Sequence, residues 1–129
     1  MIPANLLPEG SQWCVAGGYA ACPALAGDTD IWVMAEPPIF DVYDALVAHL
    51  RQTFPSADLE ISDRPDMTQT LAVHELYVDE ATIKVARVRA DGRDFHIMVT
   101  YCDSAAAIIA RFDLSTHQIA LLPDGTVVR

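Results

Sequence analysis

The sequence predicts an α/β fold of the α+β type, a mixed β-sheet with helices packed on it, and three observations carry that expectation. Two apolar runs, Trp13 to Ala16 and Asp28 to Met34, flank a small-residue segment and read as strands. Ile39, Tyr43, Leu46, Val47, Leu50 and Phe54 recur at helical spacing, the stripe of a helix lying on a sheet. Beyond Leu71, alternating apolar and β-branched residues dominate, and an Asp-Gly pair divides two of the runs. At 129 residues the chain fits a single domain spanning 1–129.

In chain order, Met1 to Gln12 carries Pro3, Pro8 and Gly10 and reads as an irregular lead-in with at most one helical turn around Asn5 to Leu7. Trp13 to Ala16 is the first strand. Tyr19 to Leu25 has helical composition interrupted by Pro23, which predicts a short or distorted helix. Asp28 to Met34 is apolar enough to lie centrally in the sheet. After Pro37-Pro38 the stripe predicts a helix over about Phe40 to Thr53, with His49 beside it as a packed or surface side chain. Leu59 to Ser62 reads as a short strand and Asp63 to Thr70 as a polar loop. Strands follow at Leu71 to Val78, Ile83 to Arg89 and Phe95 to Tyr101, the last two joined through Ala90-Asp91-Gly92-Arg93 as antiparallel neighbours. Asp103 is placed to cap a helix over about Ser104 to Arg111. A strand around Gln118 to Leu122, a Pro-Asp-Gly-Thr turn and Val127-Val128 complete the chain.

The stretch from Val15 to Val33 holds the chemistry. Gly17 and Gly18 lack Cβ, so a ligand can approach the main chain closely, and the N–H groups of a following short helix would face anionic oxygens. On a strand, Asp28 and Asp30 project to one side while Thr29 and Ile31 point to the other. Two carboxylates held side by side repel unless a cation lies between them, and a hard ion such as Mg²⁺ takes oxygen ligands while keeping places for water and phosphate. Each half also has an ordinary reading, Gly-Gly as a turn and D-x-D as a solvated loop-to-strand junction.

Taken together, Ala16-Gly17-Gly18, nine residues, then Asp28-Thr29-Asp30-Ile31 resemble the signature of the DNA polymerase beta-like nucleotidyltransferase superfamily. That signature is an apolar residue before Gly-Gly or Gly-Ser, a spacer, and an acid-apolar-acid-apolar run. Thr29 departs from it at a position usually apolar. The order of hairpin, apolar strand, helix and R-F-D-L-S-T-H-Q-I-A-L is similar to the layout of small nucleotidyltransferase-like proteins of viral and phage genomes. The resemblance implies a minimal nucleotidyltransferase fold. It also implies contact of Gly17 and Gly18 with nucleotide phosphates, and Mg²⁺ or Mn²⁺ held by Asp28, Asp30 and a third acid on a neighbouring strand. The best match to that third strand, Phe95-His96-Ile97-Met98-Val99, carries His96 at the acid position. Three alternatives follow: His96 is a ligand or general base, Asp94 or Asp113 replaces the acid, or the site binds a nucleotide without turning it over.

Charge narrows the partners. Eighteen acids against eight Lys and Arg give a formal charge of −10, whereas a nucleic-acid-binding surface needs cations to neutralise phosphates. An extended nucleic acid is therefore disfavoured, while an NTP held through metal ions remains compatible. Lys84, Arg87 and Arg89 share one predicted strand, with Arg87 and Arg89 on one face and Lys84 on the other. They could reach a triphosphate or simply compensate neighbouring acids. Cys14, Cys22 and Cys102, without a C-x-x-C pair, suit a reducing compartment, and His49, His74, His96 and His117 are too scattered for a zinc site. No apolar run approaches the roughly 20 residues of a membrane span, and no basic-then-apolar leader opens the chain, so the expectation is a cytoplasmic protein without membrane contact. The functional expectation is transfer of a nucleoside monophosphate from an NTP to an unspecified acceptor hydroxyl. The alternative is a catalytically degenerate nucleotidyltransferase fold serving as a nucleotide-binding or protein-interaction module, paired with a protein partner or a second copy.

Overall fold

A computed structural model of the chain describes residues 2–17, 28–35, 39–62, 82–101, 104–110 and 118–129. Its strands are β1 (Trp13–Ala16), β2 (Asp28–Met34), β3 (Leu59–Ile61), β4 (Thr82–Ala90), β5 (Arg93–Thr100), β6 (Ala120–Leu121) and β7 (Val127–Val128). The helices are α1 (Ile39–Thr53) and α2 (Ala105–Ile109), and a 3₁₀ turn at Ser56–Asp58 leads into β3. All seven strands join one sheet in the order β3-β4-β5-β2-β1-β6-β7. β2 and β5 run parallel and the other pairs antiparallel, so the sheet is mixed, with β2 at its centre.

The two faces are built differently. Val15, Ile31, Val33, Val88, Phe95, Ile97 and Val99 point to one side and are buried beneath Phe40, Tyr43, Leu46 and Leu50 of α1. The Tyr43 hydroxyl donates to the Ser62 carbonyl oxygen at 2.6 Å, fixing α1 to the end of β3. The lead-in closes the same core, since Leu6 and Leu7 are buried in it and Nε2 of His49 donates to the Asn5 carbonyl oxygen at 2.8 Å. On the opposite face a smaller cluster joins Cys14, Ala16 and Ala120 to Ala105, Ile108 and Ile109 of α2.

The hairpin between β4 and β5 turns through Asp91 (φ 53°) and Gly92 (φ 72°), two successive left-handed residues, as an Asp-Gly turn requires. α2 starts one residue later than expected. Ser104 is its N-cap, its Oγ accepting from the Ala107 amide at 3.2 Å, while Asp103 and Arg111 lie outside the described residues. The expected helix at Tyr19 to Leu25 and the strand at Leu71 to Val78 also lie outside them. Among the described residues no helix is long and apolar enough to cross a membrane.

One expectation is overturned within β4. Lys84 pairs with Met98, Arg87 with His96 and Arg89 with Asp94, while the ladder skips a residue between Lys84 and Ala86. The extra residue, Val85, forms a β-bulge, and a bulge reverses the alternation of side chains on either side of it. Lys84 therefore shares a face with Arg87 and Arg89 instead of opposing them. The adjacent apolar pair Val85-Ala86, both buried, is the interruption in the alternating pattern that marks it.

Candidate functional site

The site is assembled by the parallel register of β2 and β5, which sets Asp28 beside Asp94, Thr29 beside Phe95 and Asp30 beside His96. Alternation then places Asp28, Asp30, Asp94 and His96 on the face away from α1. Asp28 and Asp30 keep 43% and 41% of their side-chain surface, whereas Thr29 between them is buried. The two carboxylates thus share one side of β2, as the sequence predicts.

Thr29 has its own partner. The Arg93 guanidinium donates to its Oγ1 at 2.7 Å and lies 4.9 Å from the centroid of the Phe95 ring. A cation over an aromatic face, hydrogen-bonded at its edge, closes the α1 side of the sheet below the carboxylates. A threonine at this position is accounted for by that bond, which an apolar residue could not make.

His96 sits against both acids. Its Nε2 is 3.5 Å from Asp28 Oδ2 and its Nδ1 is 4.0 Å from Asp30 Oδ1. Although the ring as a whole is 37% exposed, Nε2 itself is buried and makes no hydrogen bond among the described residues, because ion-pair range is looser than hydrogen-bond geometry. Burial raises the Asp30 pKa above the ordinary carboxylate range, the charge of His96 pulls it back down, and the charge of Asp28 raises it again.

Register also places Asp94, one of the alternatives for the third acid. Asp94, two residues before His96 on the same face, is the carboxylate paired with Asp28, and Arg87 holds it through a 3.3 Å contact to Oδ2. Asp113, Gly18, Cys22, Cys102, His74 and His117 lie outside the described residues. Gly17 is the first residue after β1 and has a φ of 98°, a value L side chains rarely adopt. Because Val15 pairs with Ile31 in an antiparallel ladder, the chain leaves the sheet at Gly17 beside the Asp28–Asp30 end of β2.

Among the described residues no three His, Cys, Asp or Glu side chains form a ready-made metal-binding group. The donors that are present still suit a hard divalent cation. Asp28 and Asp30 offer oxygens on the same side of β2, and burial together with the neighbouring Asp28 charge outweighs the opposing pull of His96 on Asp30. Farther along the same face, Glu60 pairs with Arg87 across β3 and β4, so Glu60, Arg87, His96 and Asp30 form one row across four strands. Glu60 and Lys84 are the members of this charged face that sequence reasoning missed. β3 gives no cue to its register, and the bulge moves Lys84.

No family model matches the chain, and no curated protein matches it in sequence.

Proposed function

We propose that the chain is a nucleotidyltransferase-like protein, transferring a nucleoside monophosphate from an NTP to an acceptor hydroxyl in the cytoplasm with Mg²⁺ or Mn²⁺. The observation that carries this reading is the pair Asp28 and Asp30 on one side of the central strand, beside the bend at Gly17. Asp28 and Asp30 would hold the metal, and the main chain at Gly17 and Gly18 would receive the phosphates. A bound divalent ion supplies positive charge against the triphosphate and makes the acceptor hydroxyl more acidic. The acceptor oxygen bonds to the α-phosphorus, the bond from that phosphorus to the bridging oxygen breaks, and pyrophosphate leaves. His96 is the base nearest the carboxylates and takes the hydroxyl proton.

Transfer from an α-labelled NTP in the presence of Mg²⁺ or Mn²⁺ tests this directly. The expected outcome is incorporation that falls to background in an Asp28→Ala plus Asp30→Ala variant; incorporation that survives the double change refutes it. The second reading, a degenerate fold that binds a nucleotide or another protein, is favoured by His96 standing in line with Asp30 where the resemblance calls for an acid. It predicts heat on calorimetric titration with ATP and Mg²⁺ but no turnover, and turnover dependent on the D-x-D pair would sink it.

A further inference from the structure

Beside the carboxylates, on the side away from Gly17, an open groove of about 400 Å³ runs over β3, β4 and the start of β5. Its polar lining is Asp58, Glu60, Arg87, Arg89 and Asp94. We propose that this groove is a sugar-phosphate subsite, in which Arg87 and Arg89 take the phosphate while Asp58 and Glu60 take sugar hydroxyls.

The charges select this chemistry. Arg87 and Arg89 are exposed on one face of β4, two residues and so about 6.6 Å apart along the strand, a spacing from which both forks can reach one phosphate. Arg89 makes no ion pair or hydrogen bond among the described residues, and Arg87 uses one guanidinium nitrogen on Asp94, which leaves other N–H donors. Three carboxylates share the groove with these two cations, so a simple anion is opposed by the acids and a simple cation by the arginines. A phosphorylated polyol satisfies both sets, since its dianion meets the guanidinium forks and its hydroxyls donate to carboxylate oxygens. The volume lies within the ordinary range of small-ligand sites.

Position gives the subsite a role, which rests on the transfer reading above. Sheet order puts Gly17 at one side of β2 and the groove at the other, with Asp28 and Asp30 between them. A triphosphate received at Gly17 and a sugar phosphate in the groove would meet over the carboxylates. The sugar phosphate is then the acceptor, and one of its hydroxyls forms the new bond to the α-phosphorus as pyrophosphate departs.

Calorimetric titration of the full chain without divalent metal tests binding apart from transfer, using ribose 5-phosphate, ribose and inorganic phosphate as probes. Ribose 5-phosphate is expected to bind at least tenfold more tightly than either fragment. Arg89→Gln should weaken it about tenfold, Arg89→Lys less, and Glu60→Gln about threefold. Binding that persists in an Asp28→Asn plus Asp30→Asn variant separates this subsite from the fate of the transfer reading. Equal affinity for ribose 5-phosphate and inorganic phosphate, no binding, or an Arg89→Gln protein that keeps its fold by circular dichroism and its full affinity would each overturn the proposal.

Discussion

The two faces of the β2–β5 pair share one backbone and one hydrogen-bond ladder yet do opposite things. Thr29, Ile31 and Val33 with Phe95, Ile97 and Val99 are buried against the α1 side, while Asp28 and Asp30 with Asp94 and His96 stand on the other. Fully burying one large aliphatic or aromatic side chain stabilises by about 1.5–3 kcal/mol, whereas an exposed ion pair contributes about 0–1 kcal/mol. The aliphatic face therefore holds the strands in register, and the charged face can carry carboxylates that repel one another without unfolding the sheet. Stability and chemistry are divided by residue parity, not by region of the chain.

The comparison can be broken most severely at Phe95. Phe95→Ala should lower unfolding free energy by about 3–5 kcal/mol in urea denaturation, and a loss below about 1 kcal/mol would mean that this face is not the one holding the sheet. Arg93→Ala removes the bond to Thr29 and the contact with the Phe95 ring, for an expected loss of about 1–2 kcal/mol. Because Arg93 lies on the α1 side, its effect should be insensitive to divalent cations.

The charged face should respond with opposite signs. His96→Asp adds a carboxylate in line with Asp30, so thermal stability should fall by about 1 kcal/mol without divalent metal and recover on adding Mg²⁺. Recovery no larger than in the parent chain would argue against a cation site there. The smallest effect is expected from Asp30→Asn. The folded pKa of Asp30 is raised, so its contribution to stability is present below the unfolded value of about 3.9 and is lost as pH rises through the higher folded value. At neutral pH the ionised side chain is a net cost, so Asn should stabilise the metal-free protein. Solvent screening of this half-exposed group keeps the gain below about 1 kcal/mol. The stabilities of the two proteins should diverge as pH rises through the raised pKa of Asp30 and converge below the ordinary aspartate value.

How much of this was legible before the structure depends on the kind of signal. β1, β2 and the Asp-Gly hairpin follow from local pattern, and the shared side of Asp28 and Asp30 follows from strand alternation alone. α1 begins at Ile39, the first residue of its apolar stripe and one residue ahead of the expected start at Phe40. What local pattern does not contain is which strands become neighbours. Parallel pairing of residues more than sixty positions apart makes Asp94 the neighbour of Asp28 and His96 the neighbour of Asp30, and no periodicity within either segment encodes it. The face of Lys84 was misassigned for a related reason, since strict alternation was carried through a strand that contains one residue too many.

That surplus residue has a consequence for how this surface could change over time. Substituting Lys84, Arg87 or Arg89 edits one charge at a time, but losing Val85 would invert the orientation of everything on one side of it, turning Ile83 outward and Lys84 toward the hydrocarbon interior. A single-codon deletion there would be far more disruptive than any single replacement nearby, making the length of this strand a stricter constraint than its composition.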